Sequence, residues 1–443
     1  MSPTLVIIPG ELLTTRDPTA VLETYLGSCV GVALYDSEAG IGGMLHILLP
    51  DSSPDRMNAA PTRYAVTAVP LLIQQIEAMG GRKERLRAWM AGGAEVLSRP
   101  REQAGLDFGK RNIEAVSQLL ETHGIDLLAR DVGGLFGKRL VLDMNTGQTK
   151  ITPIGSTAVS IWEDAVTINP EMVSSIKMLS SVAAIAPKLL QLMDDDSPFD
   201  ELTEAIYKDA SLTANILRLC NSAYFGIPRR ITNISQAVIL LGINRLRRIV
   251  FMGLLETIHD AKASTGFLTK RDLFRHALAC GLTCEFLARD TGRVDPEVAF
   301  VAGLLHDIGK VILAQYAPGR FGRVLYIITN EAKTFEEAEE EVFGCSHAKA
   351  GLWLATAWQL PDALIEAISQ HHTPSCAVTD QEIAALVHVG DIVCNILGVS
   401  CARMGFTSQI VPEALSILSL NAADLENAML ALSDVIKQVW DVY

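Results

Sequence analysis

The 443-residue sequence predicts two bodies, an N-terminal α+β domain and a C-terminal all-α domain. Three observations carry that expectation. The length exceeds what one ordinary hydrophobic core accommodates. The apolar pattern changes period, from strand-like alternation interleaved with helices to three- and four-residue spacing that begins near Pro170. Charge divides unevenly as well. Residues 1–155 hold 15 basic and 17 acidic side chains, a balance of −2 out of a net −14, so the remainder carries −12.

Composition narrows the class. Apolar residues make up 49% and charged residues 20%, which is globular composition. The negative balance argues against a nucleic-acid binder. No apolar run approaches the ~20 residues that span a bilayer, and no charged-then-apolar leader opens the chain. The expectation is a soluble cytoplasmic protein without membrane insertion. Eight cysteines occur with no CxxC pair. In a reducing compartment most are small buried hydrophobes, Cys280 and Cys284 at helical spacing among them.

In order, Leu5–Leu13, Tyr25–Tyr35 and Ile41–Leu49 read as strands. Arg63–Met79 reads as an amphipathic helix, followed by a strand near Leu86–Met90 and a helix over Gly109–Glu121. Strands near Ile125–Ala129 and Lys138–Leu142 close the first domain, with Asn145-Thr146-Gly147 as a turn. Beyond Pro170, helical periodicity marks Leu189–Met193, Leu202–Tyr207, Leu212–Cys220, Leu273–Leu287 and Pro412–Val439. The predicted division is 1–155, a linker at 156–169, a helical domain at 170–400, and terminal helices at 401–443 packing on it. The glycine pairs at 80–81 and 133–134 read as turns, not a phosphate loop. The acidic run Glu336–Glu341 reads as a solvated helix face.

Cys29 stands in unusual company. The strands that flank Asp36-Ser37-Glu38-Ala39 form a plausible hairpin. Pairing Tyr35 with Gly40 sets Cys29 opposite His46, at the roughly 4.5–5.5 Å Cβ spacing of cross-strand partners. Val30, Val32 and Leu34 then face a core. Cys29 shares the other face with Gly31 and Ala33, whose small size leaves room for a substrate side chain. A neighbouring imidazolium lowers a thiol pKa and favours the nucleophilic thiolate. Backbone N–H groups around Gly27 and Ser28 are suited to an oxyanion, and His46 to proton transfer. A buried core cysteine with an incidental histidine fits the same pattern.

The segments LGSCVGVALYD, GIGGMLHILLP, AGGAEV, FGKRNIEAV and ARDVGGLFGKRL, with the closing Asn145-Thr146-Gly147, resemble successive motifs of the chemoreceptor glutamine deamidase family, CheD. The resemblance spans nearly all of residues 5–152. It implies Cys29 as nucleophile, His46 as base and Thr24 as a third polar residue, with Glu23 one position away. It also implies glutamine side chains of methyl-accepting chemoreceptors as substrate, glutamate and ammonia as products, and no cofactor for deamidation. A chemotaxis adaptation phosphatase is a further expected partner.

The helical region gathers histidines. His276 lies in register with Leu273, Cys280 and Leu287. His306 and Asp307 follow an apolar run. His347, the pair His371-His372, and Asp391 in the apolar stretch Ile383–Leu397 complete the set. A lone buried carboxylate is costly without a partner, and a di-metal centre of Fe, Mn or Zn would satisfy all seven. Yet one histidine on an apolar face is most often a satisfied core residue, and two beside a proline are often surface. From Asp209 through Gly226, then Ile234 to Gly242, AFVAGLLHDIGK and FGCSHAKAGLWLATAW, the region resembles the HDOD domain, a relative of HD-type metal-dependent phosphohydrolases. That resemblance implies a signalling or output module. It also implies that His276, His306, Asp307, His347, His371, His372 and Asp391 sit at metal-ligand positions, with Lys310 on substrate phosphate. Thr373-Pro374-Ser375 replaces the Gly-Tyr-Pro of cyclic-di-nucleotide phosphodiesterases.

Three functional readings follow. The chain is a receptor glutamine deamidase regulated by its helical domain, a receptor-docking adaptor without turnover, or a metal-dependent phosphodiesterase.

Overall fold

The computed structural model describes residues 3–95, 106–134, 136–153, 167–174, 206–207, 210–222, 231–259, 269–317, 320–331, 333–399 and 409–441. The expected helix at Leu189–Met193 and most of the linker at 156–169 lie outside these residues, as do much of Leu202–Tyr207 and the two ends of the motif from Asp209 to Gly226. The first domain contains strands β1 (Thr4–Val6), β2 (Leu12–Thr15), β3 (Val21–Leu26), β4 (Val30–Asp36), β5 (Ile41–Ile47), β6 (Arg87–Gly92), β7 (Asp126–Val132), β8 (Lys138–Asp143) and β9 (Thr149–Pro153). Its helices are α1 (Pro54–Ala59), α2 (Ala65–Ala78) and α3 (Phe108–Thr122).

These strands form two sheets, ordered β1-β3-β8-β9 and β2-β5-β4-β6-β7. Two expected strands therefore break. Leu5–Leu13 divides at Pro9-Gly10, and Tyr25–Tyr35 divides at Gly27-Ser28-Cys29; each break carries the chain from the smaller sheet to the larger. Alternation along β4 and β5 assigns the two faces. Val30, Val32, Leu34, Leu45 and Ile47 pack under α2 and α3 with Val69, Leu72, Ile76 and Val116. Cys29, Ala33, Met44 and Leu48 turn the other way, into a core shared with Leu22 and Leu26 of β3.

The hairpin register differs from the expected one by two residues. Asp36 pairs with Ile41 and Tyr35 with Gly42, so Gly31, not Cys29, lies directly opposite His46. Asp36 explains the shift. Its fully buried carboxylate accepts from Arg85 (2.6 and 3.0 Å) and from the backbone N–H groups of Arg82, Glu38 and Ala39. It is thus a strand residue, and the loop moves on to Ser37–Gly40. Because side chains alternate with period two, a two-residue slip leaves Cys29 and His46 on one face.

From Pro170 the described residues are helical: α4 (Pro170–Ser174), α5 (Ala210–Cys220), α6 (Ile234–Leu241), α7 (Ile243–His259), α8 (Lys270–Thr291), α9 (Pro296–Leu305), α10 (Ile308–Tyr316), α11 (Phe321–Glu331), α12 (Phe335–Phe343), α13 (His347–Ala357), α14 (Asp362–Gln370), α15 (Gln381–Ile396), α16 (Pro412–Leu418) and α17 (Ala422–Asp441). Local chemistry sets the ends that matter. Asp295 accepts from the N–H groups of Glu297 and Val298 ahead of Pro296, Thr334 and Glu337 form a capping box, and Ser346 caps α13 so that His347 occupies its first position. Gly309 permits a close helix approach, since a Cβ there would lie 1.8 Å from the His347 carbonyl oxygen. That contact brings the Asp307 turn against the start of α13. α17 packs on α8 and α15 through Leu425, Met429, Leu432 and Ile436.

Candidate functional sites

The bend Gly27-Ser28-Cys29 is held by its carbonyls. Gly93 N–H donates to Cys29 O (2.8 Å), Ala94 N–H to Gly27 O (2.9 Å), and Asn112 Nδ2 to Ser28 O (3.4 Å) and Leu48 O (2.9 Å). Gly92 (φ +101°) admits no side chain, because a Cβ would sit 2.2 Å from Cys29 O. The double glycine of AGGAEV thus forms a backbone cradle for the cysteine bend.

Thr24 and His46 meet between the sheets. Thr24 Oγ1 donates to Ile7 O (2.7 Å) and lies 2.8 Å from His46 Nδ1. The hydroxyl has one proton and Ile7 O can only accept, so His46 Nδ1 carries the hydrogen and Nε2 presents its lone pair. Glu23, the alternative to Thr24, points to the opposite face and pairs with Arg139 at 2.7 Å. His46 Nε2 has no hydrogen-bond partner, and neither do Ser28 Oγ and Asn112 Oδ1, all three buried. Left unmatched, each such group costs about 1–3 kcal/mol, so these are the polar atoms that this interior offers to a hydrogen-bonding group.

Two expectations are corrected here. The space beside Gly31 is not open, since a Cβ there would meet Leu26 Cδ1 at 2.7 Å and Thr24 Cγ2 at 3.2 Å. The small residues of β4 admit the second sheet instead of a substrate. Nor is there an imidazolium–thiolate pair in this arrangement. Burial pushes the Cys29 thiol far up, opposed by its own backbone N–H, and burial pushes His46 down to about 3. Both groups are neutral because Thr24, Ser28, Cys29 and His46 are all fully buried and no hydrogen bond joins thiol to imidazole.

In the helical domain all seven expected positions converge. Every one of the five histidines anchors Nδ1: His276 on Val399 O (2.7 Å), His306 on Gly303 O (2.7 Å), His371 on Ile368 O (2.9 Å), His347 on Glu339 Oε2 (2.5 Å) and His372 on Glu336 Oε1 (2.9 Å). Their Nε2 atoms therefore point inward. His276 Nε2 lies 3.1 Å from Asp391 Oδ1 and 3.5 Å from Asp307 Oδ2; His347 Nε2 lies 3.4 Å from Asp307 Oδ1. Despite these distances, His276 Nε2 and His306 Nε2 make no hydrogen bond of acceptable geometry. Among the described residues three groups have ligand atoms within 4.8 Å of one another: His347, His371 and His372; His276, His306 and Asp391; His306, Asp307 and His371. Anchored Nδ1 atoms around unmatched Nε2 atoms and buried carboxylates are the donor set a divalent metal takes, so the residues fit the group. Burial alone would lower His276, but Asp307 and Asp391 outweigh it and raise the ring to about 10; burial lowers His306 to about 4.

The structure corrects part of the acidic run. Glu339 is fully buried and bonds both the ring and the backbone N–H of His347, while Glu336 holds His372. These two residues support the cluster, while Glu337, Glu340 and Glu341 are exposed as expected. Lys310 Nζ, expected on substrate phosphate, binds Asp307 Oδ2 at 2.7 Å above the Phe335 ring. Reading the sequence missed Asn112, although its spacing with Phe108, Val116 and Leu120 on the buried face of α3 was visible. It also missed His388, which bridges His371 O (2.7 Å) and the Val411 N–H (3.0 Å).

A two-sheet domain with a buried cysteine, histidine and threonine, joined to a helical domain with a histidine–carboxylate cluster, defines the class. The family description "CheD chemotactic sensory transduction" matches residues 48–153, and "HDOD domain" matches residues 179–374. Relatives named chemoreceptor glutamine deamidase CheD include one from Desulforamulus reducens, 42% identical over 147 residues (33% of this chain, 89% of the relative). Another, from Clostridium kluyveri, is 39% identical over 146 residues (33% and 90%). Among solved structures, an HDOD domain protein from Geobacter sulfurreducens is 27% identical, covers 63% of this chain and 91% of that one, and has a TM-score of 0.46. Through its N-terminal third, the chain belongs to the CheD family, and its C-terminal part carries an HDOD domain. No helix among the described residues is long and apolar enough to cross a membrane.

His46 gives a pH prediction with a definite sign. Unfolded, it takes up a proton near its ordinary 6.5; folded, only near 3. Its contribution to stability is therefore complete above pH 6.5 and is lost as pH falls through that window. One proton sets a limiting slope of about 1.4 kcal/mol per pH unit. In denaturant titrations, His46→Gln should lose stability less steeply on acidification than the wild type. Equal slopes would contradict a buried neutral imidazole.

Proposed function

We propose that the chain is a protein-glutamine deamidase acting on chemoreceptors, with Cys29 as nucleophile, His46 as general base and acid, and Thr24 as the residue that fixes the His46 tautomer. The observation that carries this reading is the 2.8 Å contact of Thr24 Oγ1 with His46 Nδ1, which leaves an unmatched Nε2 on the face that Cys29 shares. The relatives' name supplies the substrate class: glutamine on chemoreceptors.

In the working state His46 Nε2 takes the Cys29 proton, and the thiolate sulfur attacks the glutamine carboxamide carbon. The bend directs its carbonyls toward Gly93, Ala94 and Asn112, so the peptide N–H groups of Ser28 and Cys29 point the opposite way, toward a developing oxyanion. His46 returns the proton to the amide nitrogen, the C–N bond breaks and ammonia leaves a thioester. Water, deprotonated by His46, then attacks that carbonyl; the C–S bond breaks, releasing glutamate and restoring the thiol. Nothing in these steps requires a cofactor. An adaptation phosphatase is a further proposed partner of this domain.

A second reading concerns the helical domain and rests on the five anchored Nδ1 atoms. His276, His306, Asp307, His347, His371, His372 and Asp391 would hold one or two ions of Fe, Mn or Zn. A bound ion there would supply Lewis acidity. The chain's own contribution is to exclude water and fix the imidazoles through Glu336, Glu339, Gly303, Ile368 and Val399. Metal-dependent phosphodiester hydrolysis is the alternative activity of this cluster, with Lys310 beside it, 2.7 Å from Asp307.

Ammonia release from a receptor fragment should fall by about a thousandfold or more in Cys29→Ala. Unchanged release would end the enzymatic reading, and no release from the wild type under any condition would favour the docking adaptor. Separately, elemental analysis of the purified chain, reconstituted with iron or manganese, should find at least about one equivalent of metal, lost in His306→Ala with Asp391→Ala. Retention of metal by that variant would remove the cluster as the binding site.

A further inference from the structure

The helical domain does not stand apart from the cysteine site. β1 ends at Val6, and past that point the edge of β3 is covered by Gly398, the first residue after Leu397 at the end of α15. Ile7 N–H donates to Glu23 O on that edge, and carbonyls alternate along a strand, so Tyr25 O points to the same side. Gly398 has φ +74°, and a Cβ there would lie 2.5 Å from Tyr25 O and 3.6 Å from Leu26 N. Tyr25 follows Thr24, and Leu26 precedes the cysteine bend.

α17 covers the other side. Its Glu426 bonds Arg111 (3.2 Å), its Asn427 bonds Arg56 (3.1 Å), and its Asp434 pairs with Arg63. Two of these arginines, Arg63 and Arg111, adjoin the backbone around the site. Arg63 O receives the N–H groups of Leu48 and Leu49, two and three residues past His46, and Arg111 precedes Asn112, which holds Ser28 O and Leu48 O. The opposite face of α17 is fixed to α8 and α15. A basic rim thus receives an acidic helix face that belongs to the other domain.

We propose that Arg56, Arg63 and Arg111 form a docking surface for an acidic helix at the mouth of the cysteine site, and that in this chain α17 and Gly398 occupy it as a tethered blocker. A substrate must displace them to reach Cys29. This proposal rests on the deamidase reading for its biological meaning, but not for its test. The ion pairs are partly exposed, with side-chain exposures of 20% and 62% for Arg63 and Asp434 and 32% and 25% for Arg111 and Glu426. Such pairs bias an equilibrium and do not lock it, which suits a cover that must come off.

The test is the alkylation rate of Cys29 in the full chain, read by peptide mass spectrometry with iodoacetamide as the probe. Two variants open the cover by independent means. Gly398→Asn keeps a residue that tolerates positive φ but drives its Cβ into Tyr25 O. Glu426→Arg with Asp434→Arg places like charges on the rim. Both should raise Cys29 labelling on the order of tenfold, and adding Arg63→Asp to the charge variant should bring the rate back down. Cys280, Cys284 and Cys394, buried in the helical domain, should stay unlabelled throughout. Unchanged Cys29 rates in both variants would overturn the proposal, as would a rise that Cys280, Cys284 and Cys394 share. If Cys29 opens while a receptor fragment still yields no ammonia, the deamidase reading fails and the cover stands.

Discussion

The cysteine site depends on one constraint, the buried crossing of the chain between two sheets at Gly27-Ser28-Cys29. A backbone that leaves β3 and enters β4 inside the protein must find partners for its polar groups without water. Gly93, Ala94 and Asn112 provide them, and Gly92 provides the space. The crossing at Pro9-Gly10 completes the arrangement, with Ile7 O receiving Thr24 and Gly10 N–H bonding His46 O (2.9 Å). Thiol, imidazole and hydroxyl are thereby set between sheets, not on a surface, and their protonation states follow from that burial.

The helical domain uses a comparable economy. Backbone carbonyls and two glutamates hold the outer nitrogens of five histidines, so the inner nitrogens have one direction left. His276 links the two domains. Its Nδ1 is bonded to Val399 O, and Gly398, the adjacent residue, rests against Tyr25 beside the cysteine bend. The histidine cluster and the deamidase rim therefore meet at one short turn.

Much of this was legible in the sequence because it is carried by periodicity and by residue type. The change of period near Pro170 matches the passage from strands to helices, and alternation places Cys29 and His46 on one face even though the hairpin register is off by two. What escaped depends on tertiary partners. Asp36 reads as a loop residue until Arg85 and three backbone N–H groups surround it. Glu336 and Glu339 read as solvated until His372 and His347 are found against them. The strand break at residues 27–29 has no local signature beyond Gly27, since the groups that hold it lie more than sixty residues away in sequence, at Gly93, Ala94 and Asn112.

The central claim, that the thiol and imidazole held by this crossing convert a carboxamide to a carboxylate, is tested most directly by mass spectrometry of a chemoreceptor fragment co-expressed with the full chain. The account predicts the small mass gain of glutamine becoming glutamate at defined positions, absent when the co-expressed chain carries Cys29→Ala. An identical receptor mass with either chain would contradict it.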